Sequence, residues 1–154
     1  MAGEIEAKLK KLELTLPEAP PPAANYVPYV VTGNLVFVAG QVSRGPKGFI
    51  TGKLGRDLDV NRGQEAAKVC ALNILAQVKA ACGGDLDRIV RCVKVGGFVN
   101  CTEAFQEQPQ VINGCSDLFV AVLGDKGRHA RFAVGANILP FNAAVEIDAV
   151  FEIA

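Results

Sequence analysis

The sequence predicts an α+β domain of order ββαβαββ, with two helices packed on one face of a sheet. Three observations carry that expectation. Apolar residues recur at helical spacing over 67–82 and again over 111–123. Two β-rich runs, 29–31 and 35–38, flank Thr32-Gly33-Asn34, a tight-turn composition. The last segment alternates strictly, with Val145, Ile147, Ala149, Phe151 and Ile153 on one side and Glu146, Asp148, Val150 and Glu152 on the other.

The elements follow in chain order. Ile5, Leu9 and Leu12 fall at i, i+4 and i+7, so Glu4 to Glu13 reads as a short surface helix. The run PEAPPP from Pro17 to Pro22 breaks it and reads as an extended connector. Residues 1–24 are therefore a helix and linker, and 25–154 a single domain. After the hairpin, Gln41 to Asp57 is rich in Gly, Lys and Arg and reads as a loop. Its Gly52-Lys53 pair is no phosphate loop, because the spacing between glycines is wrong and Leu54 stands where Ser or Thr is needed.

The first long helix opens with a capping box, Asn61 with Gln64, and presents Ala67, Cys70, Ala71, Ile74, Leu75, Val78, Ala81 and Cys82 on one face. Gly83-Gly84 ends it. A strand is expected from Ile89 to Val99, with Gly96-Gly97 as a bulge. The second helix begins near Pro109, carries Val111, Ile112, Cys115, Leu118, Phe119, Val122 and Leu123 inward, and closes at Gly124. Strands over Arg131–Ala136 and Val145–Ile153 finish the chain. The apolar side of the last strand should meet the helices. Its other side is left for solvent or another subunit to cover.

Composition excludes several function classes. Sixteen basic residues balance sixteen acidic ones, which argues against nucleic-acid binding through a strong positive field and is compatible with self-association. The five cysteines form no CxxC pair, so reduced thiols in a cytoplasm and no metal site are expected. No apolar leader is visible, and the uncharged run Phe132–Val145 is too short to cross a membrane.

Few residues remain as candidates for chemistry. His129 is the only histidine, and within Gly-Arg-His-Ala-Arg it reads as a loop-fixing residue rather than a base. One histidine also rules out a two-histidine nuclease site within one chain. Cys70, Cys82 and Cys115 fall on apolar helix faces and read as small core residues. Arg131 opens an otherwise apolar strand. It is either a strand-edge side chain reaching water or an anchor for a small carboxylate, which its fork suits. Glu146 is either solvated or a second functional group.

Two segments, YVPYVVTGNLVFVAGQ (26–41) and RFAVGANILPFNAAVEIDAVF (131–151), resemble the signature ends of the YjgF/RidA family, also labelled endoribonuclease L-PSP. The resemblance spans about residues 25–153. Asn73-Ile74-Leu75-Ala76, Ser116-Asp117-Leu118-Phe119 and Gly127-Arg128-His129-Ala130-Arg131 resemble a YjgF-like subgroup of poorly defined function.

The resemblance implies a chorismate-mutase-like fold and a homotrimer with three clefts between subunits. It implies hydrolysis of reactive enamines and imines, of the 2-aminoacrylate type, to 2-oxo acids and ammonia, with no cofactor. Carried over, Arg131 matches the arginine that binds the substrate carboxylate, and Glu146 the glutamate that positions or activates water. Tyr26 matches the tyrosine at the cleft rim, with Tyr29 close by. Asn113 matches an asparagine on the second helix, and Gly40 with Gln41 forms the turn beneath the site. The Ala133 backbone completes the polar shell.

Two positions depart from the deaminase pattern. Ala39 stands where Ser is common, and Ala133 where Cys is common. The departures leave carboxylate binding intact and weaken the case for turnover. A non-catalytic trimer that binds a small carboxylate metabolite is therefore an alternative, and an endoribonuclease a third. Zero net charge, one His and no Trp count against the last.

Overall fold

A computed structural model describes residues 3–154 of the chain. Helix α1 spans Glu4–Lys11, α2 Val60–Ala81 and α3 Gln108–Leu123. The strands are β1 (Tyr29–Thr32), β2 (Leu35–Val42), β3 (Arg44–Gly45), β4 (Gly48–Phe49), β5 (Ile89–Asn100), β6 (Ala130–Ala136) and β7 (Val145–Ile153). Five of them form one sheet in the order β1-β2-β7-β5-β6, while β3 and β4 make a small hairpin. Only β5 and β6 run parallel, because α3 carries the chain back between them. The expected α+β class and order hold.

The alternation of β7 decides how the layers pack. Val145, Ile147, Ala149, Phe151 and Ile153 are all buried against α2 and α3, with Phe119 edge-on to Phe151 at 5.5 Å. Glu146, Asp148, Val150 and Glu152 face the opposite way, onto a surface no helix covers. Direct cross-strand pairing extends that surface to Phe37 (opposite Val150), Phe98 (opposite Glu146), Phe132 and Val134. These four apolar side chains are exposed.

Three local expectations need correction. Gly96-Gly97 is not a bulge: both residues keep register with Asp148 and Ile147, and the shifts in β5 fall nearer its start, between Ile89 and Arg91 and between Cys92 and Lys94. The glycines are needed for space instead. A Cβ at Gly97 would strike Ile112 of α3, and one at Gly96 would strike Asp148 and Phe132. The α2 cap is Asp59, whose carboxylate accepts from the Arg62 N–H at 2.8 Å. Gln64 reaches across instead to the Gln110 carbonyl of α3, at 2.8 Å. The stretch 41–57 is also less loop-like than expected, since β2 runs to Val42 and β3–β4 follows at once.

Helix α1 is docked rather than free. The Asp87 carboxylate accepts from the backbone N–H groups of Glu4 and Ile5, at 2.9 and 3.0 Å, which satisfies orphan donors of its first turn. Ile5 and Leu9 are buried beneath it, and Glu6 pairs with Lys79 at 2.8 Å. Among the described residues no helix is long and apolar enough to cross a membrane.

Candidate functional site

All the predicted residues but Tyr26 fall into two groups, on opposite faces of the sheet. Arg131 pairs with Val95, a buried helix-side residue, so its side chain rises towards α3. Its Nη1 donates to Ser116 Oγ at 3.0 Å and its Nη2 to the Pro109 carbonyl at 3.1 Å. Two corners of the fork are thus fixed by one helix. The remaining N–H bonds have no partner among the described residues, and Arg131 lines an open cleft of about 280 Å³ together with Asn113, Ser116, Asp117, Val120, Arg128 and His129. Ala133, two residues along β6, also faces the helices and packs against the core.

Glu146 lies on the other face, two strands away on β7 and opposite Phe98. Its carboxylate rests over Gly40, where a Cβ would collide with it. Gly40 itself sits in an irregular step of β2, between Val38 and Gln41. The expected turn beneath the site is therefore a strand irregularity, locked by buried Gln41 donating to the Ala39 carbonyl at 3.0 Å. Burial, and then the neighbouring Asp148, push the Glu146 carboxyl above its usual range. Burial raises Asp148 as well. Among the described residues Glu146 has no hydrogen-bond or ion partner.

Tyr26 belongs to neither group. It is exposed, and its hydroxyl accepts from the Ala23 N–H of the connector at 3.3 Å. Tyr29 is half-buried at the start of β1 and packs on the core. Burial drives the Cys70 and Cys115 thiols well up and Cys92 to about 12, which disfavours a thiolate at these three positions. No three His, Cys, Asp or Glu side chains among the described residues are placed to hold a metal ion.

Sequence reasoning passed over Ser116 and set His129 aside, yet both line the Arg131 cleft. Ser116 Oγ lies 2.8 Å from His129 Nε2, and His129 Nδ1 lies 2.6 Å from the Gly127 carbonyl. The signal was present in the spacing. Ser116 follows Asn113 by three on a helix, and His129 precedes Arg131 by two on an extended run, so each shares a face with a predicted residue.

Comparison with known proteins places the chain. Residues 6–153 match the family model described as "YjgF/chorismate mutase-like, putative endoribonuclease". A curated relative, Protein TCP17 of Trypanosoma cruzi, is 49% identical over 154 residues, covering 99% of this chain and 96% of its own. The crystal structure of Atu1372 from Agrobacterium tumefaciens, a protein with unknown function, superposes with a TM-score of 0.92 at 55% identity, over 98% of this chain and 93% of that one. The crystal structure of a "putative endoribonuclease" from Shewanella oneidensis superposes with a TM-score of 0.93 at 32% identity, over 97% of this chain and 99% of that one. RidA from a Psychrobacter species is more distant, at 0.61 and 29% identity over 88% and 94%.

Proposed function

The chain belongs to the YjgF/chorismate mutase-like family, and on that premise we propose that it hydrolyses small carboxylate-bearing enamines and imines at clefts between subunits of a homotrimer. The observation that carries this reading is the mounting of Arg131. A guanidinium held at two corners, with its other N–H bonds unpartnered among the described residues and an open cleft beside it that Asn113 also lines, suits a bidentate pair with a small carboxylate.

The chemistry needs little more. The enamine tautomerises to an imine, water adds to the imine carbon, and ammonia leaves the resulting carbinolamine to give a 2-oxo acid. Arg131 holds the carboxylate and so fixes the angle of attack. Glu146, raised by burial, is a stronger base than an exposed carboxylate and takes the water proton. One chain does not bring these groups together, because they occupy opposite faces of its sheet. Two chains do so if the open face of one packs near the helix-side cleft of the next. The exposed Phe37, Phe98, Phe132 and Val134 support such packing.

Ala133 favours a second reading, a trimer that binds a carboxylate metabolite without turnover. It brings only a methyl group to the helix side, where a reactive side chain would otherwise sit. The two readings separate in one assay. A serine or threonine dehydratase generates the enamine, semicarbazide competes for it, and 2-oxo acid formation is followed with wild type and Arg131→Ala. Acceleration by wild type alone supports hydrolysis. Pyruvate binding without acceleration supports the binding protein. RNA cleavage lost on mutating a cleft residue would overturn both.

A further inference from the structure

His129 and Ser116 have no part in the chemistry above, yet they complete a hydrogen-bond chain that ends on Arg131. The direction of that chain follows from donor and acceptor rules. The Gly127 carbonyl only accepts, so at 2.6 Å the proton must sit on His129 Nδ1. In the neutral ring Nε2 is then a bare acceptor, and at 2.8 Å it takes the Ser116 hydroxyl proton. With its hydrogen committed to His129, Ser116 turns a lone pair to Arg131 Nη1 at 3.0 Å. Each group has one role and no bond is left ambiguous.

The surroundings favour the neutral ring. It is half-buried, stands edge-on to Phe119 at 6.0 Å between centroids, and shares its cleft with the cations of Arg131 and Arg128 as well as with Asp117. Burial and the Arg131 charge both oppose protonation, although the bond to Gly127 favours it.

We infer that His129, fixed with its proton on Nδ1, acts through Ser116 as a positioning device that sets the rotamer of the Arg131 fork for a carboxylate. This inference rests on the carboxylate-site reading of the cleft. Both act through Arg131 rather than on the carboxylate itself. Both are positioning residues, and the hydroxyl of Ser116, rather than its volume, is the feature required.

Two readouts test the device on the full-length chain. The first needs no ligand. His129 is the only histidine, so a ¹⁵N imidazole spectrum reports one ring. Above neutral pH the expected result is a protonated Nδ1 and a bare Nε2, and a predominantly Nε2-protonated ring overturns the chain's direction. The second is pyruvate affinity by titration calorimetry. Ser116→Ala is expected to weaken binding about tenfold, the scale of a hydrogen bond to a charged group. Ser116→Thr, which keeps the hydroxyl, and His129→Gln, which keeps an acceptor, should each retain most of the wild-type affinity. If Ser116→Ala binds as wild type does, or if Thr fails to rescue a folded protein, the positioning role is wrong. If wild type itself binds no pyruvate or other 2-oxo acid, the carboxylate reading has failed, and this inference fails with it.

Discussion

The two faces of the sheet are finished to different degrees. On the helix side, the two aligned groups are held within the chain: the guanidinium by Ser116 and Pro109, the imidazole by Gly127 and Ser116. On the open side, Glu146 is half-buried without a partner among the described residues and is surrounded by exposed aromatic and aliphatic side chains. The contrast teaches where the chain is complete. On the proposed reading, one copy builds the carboxylate-binding half, and the half that activates water needs a second copy.

The largest effect should come from breaking the open face. Phe98→Asp places an unpaired carboxylate where the proposed partner packs, a cost of several kcal/mol if it stays charged. Sedimentation should show single chains in place of the assembly; an unchanged particle would mean that this face is not the interface. Next comes the helix side. Arg131→Ala should weaken 2-oxo acid binding by roughly 10- to 100-fold, with the assembly intact. Glu146→Gln should do the reverse, leaving carboxylate affinity near wild type while lowering turnover by about 10²–10⁴-fold.

The smallest effect separates the faces by pH. His129 is held below its ordinary value of 6.5 when folded, so its contribution to stability is present above 6.5 and is lost as pH falls through the lowered value. Glu146 and Asp148 are held above 4.5 and 3.8, so theirs is present below those values and is lost as pH rises through the raised ones. Denaturant midpoints across pH should therefore flatten on the acid side in His129→Gln and at higher pH in Glu146→Gln. If both variants shift the same limb, the assignment of environments is wrong.

Much of this architecture was legible in the residues. The period-2 pattern of β7 and the apolar stripes of α2 and α3 mark the buried faces directly, because burial leaves its trace at fixed spacing. The motifs around 26–41 and 131–151 marked the family. What stayed hidden depends on neighbours distant in sequence. The segment Arg131–Ala136 has small or apolar residues on both sides, so only its register with β5 shows that Arg131 turns towards α3 and away from Glu146. Gly96-Gly97 has a bulge-like composition. Its reason is the bulk of Ile112, Asp148 and Phe132, which a local reading does not contain. Ser116 looked like an ordinary helix residue until His129 arrived from a turn thirteen positions on.

Subunit mixing tests the two-chain site most directly. Arg131→Ala and Glu146→Gln chains, each inactive alone in the enamine assay, are dissociated, combined in equal amounts and reassembled. If Arg131 of one chain works with Glu146 of its neighbour, random trimers regain intact sites at some interfaces, and activity should return to about a quarter of wild type. If the mixture stays as inactive as its parents after verified subunit exchange, the two residues do not act across an interface, and the two-chain site is wrong.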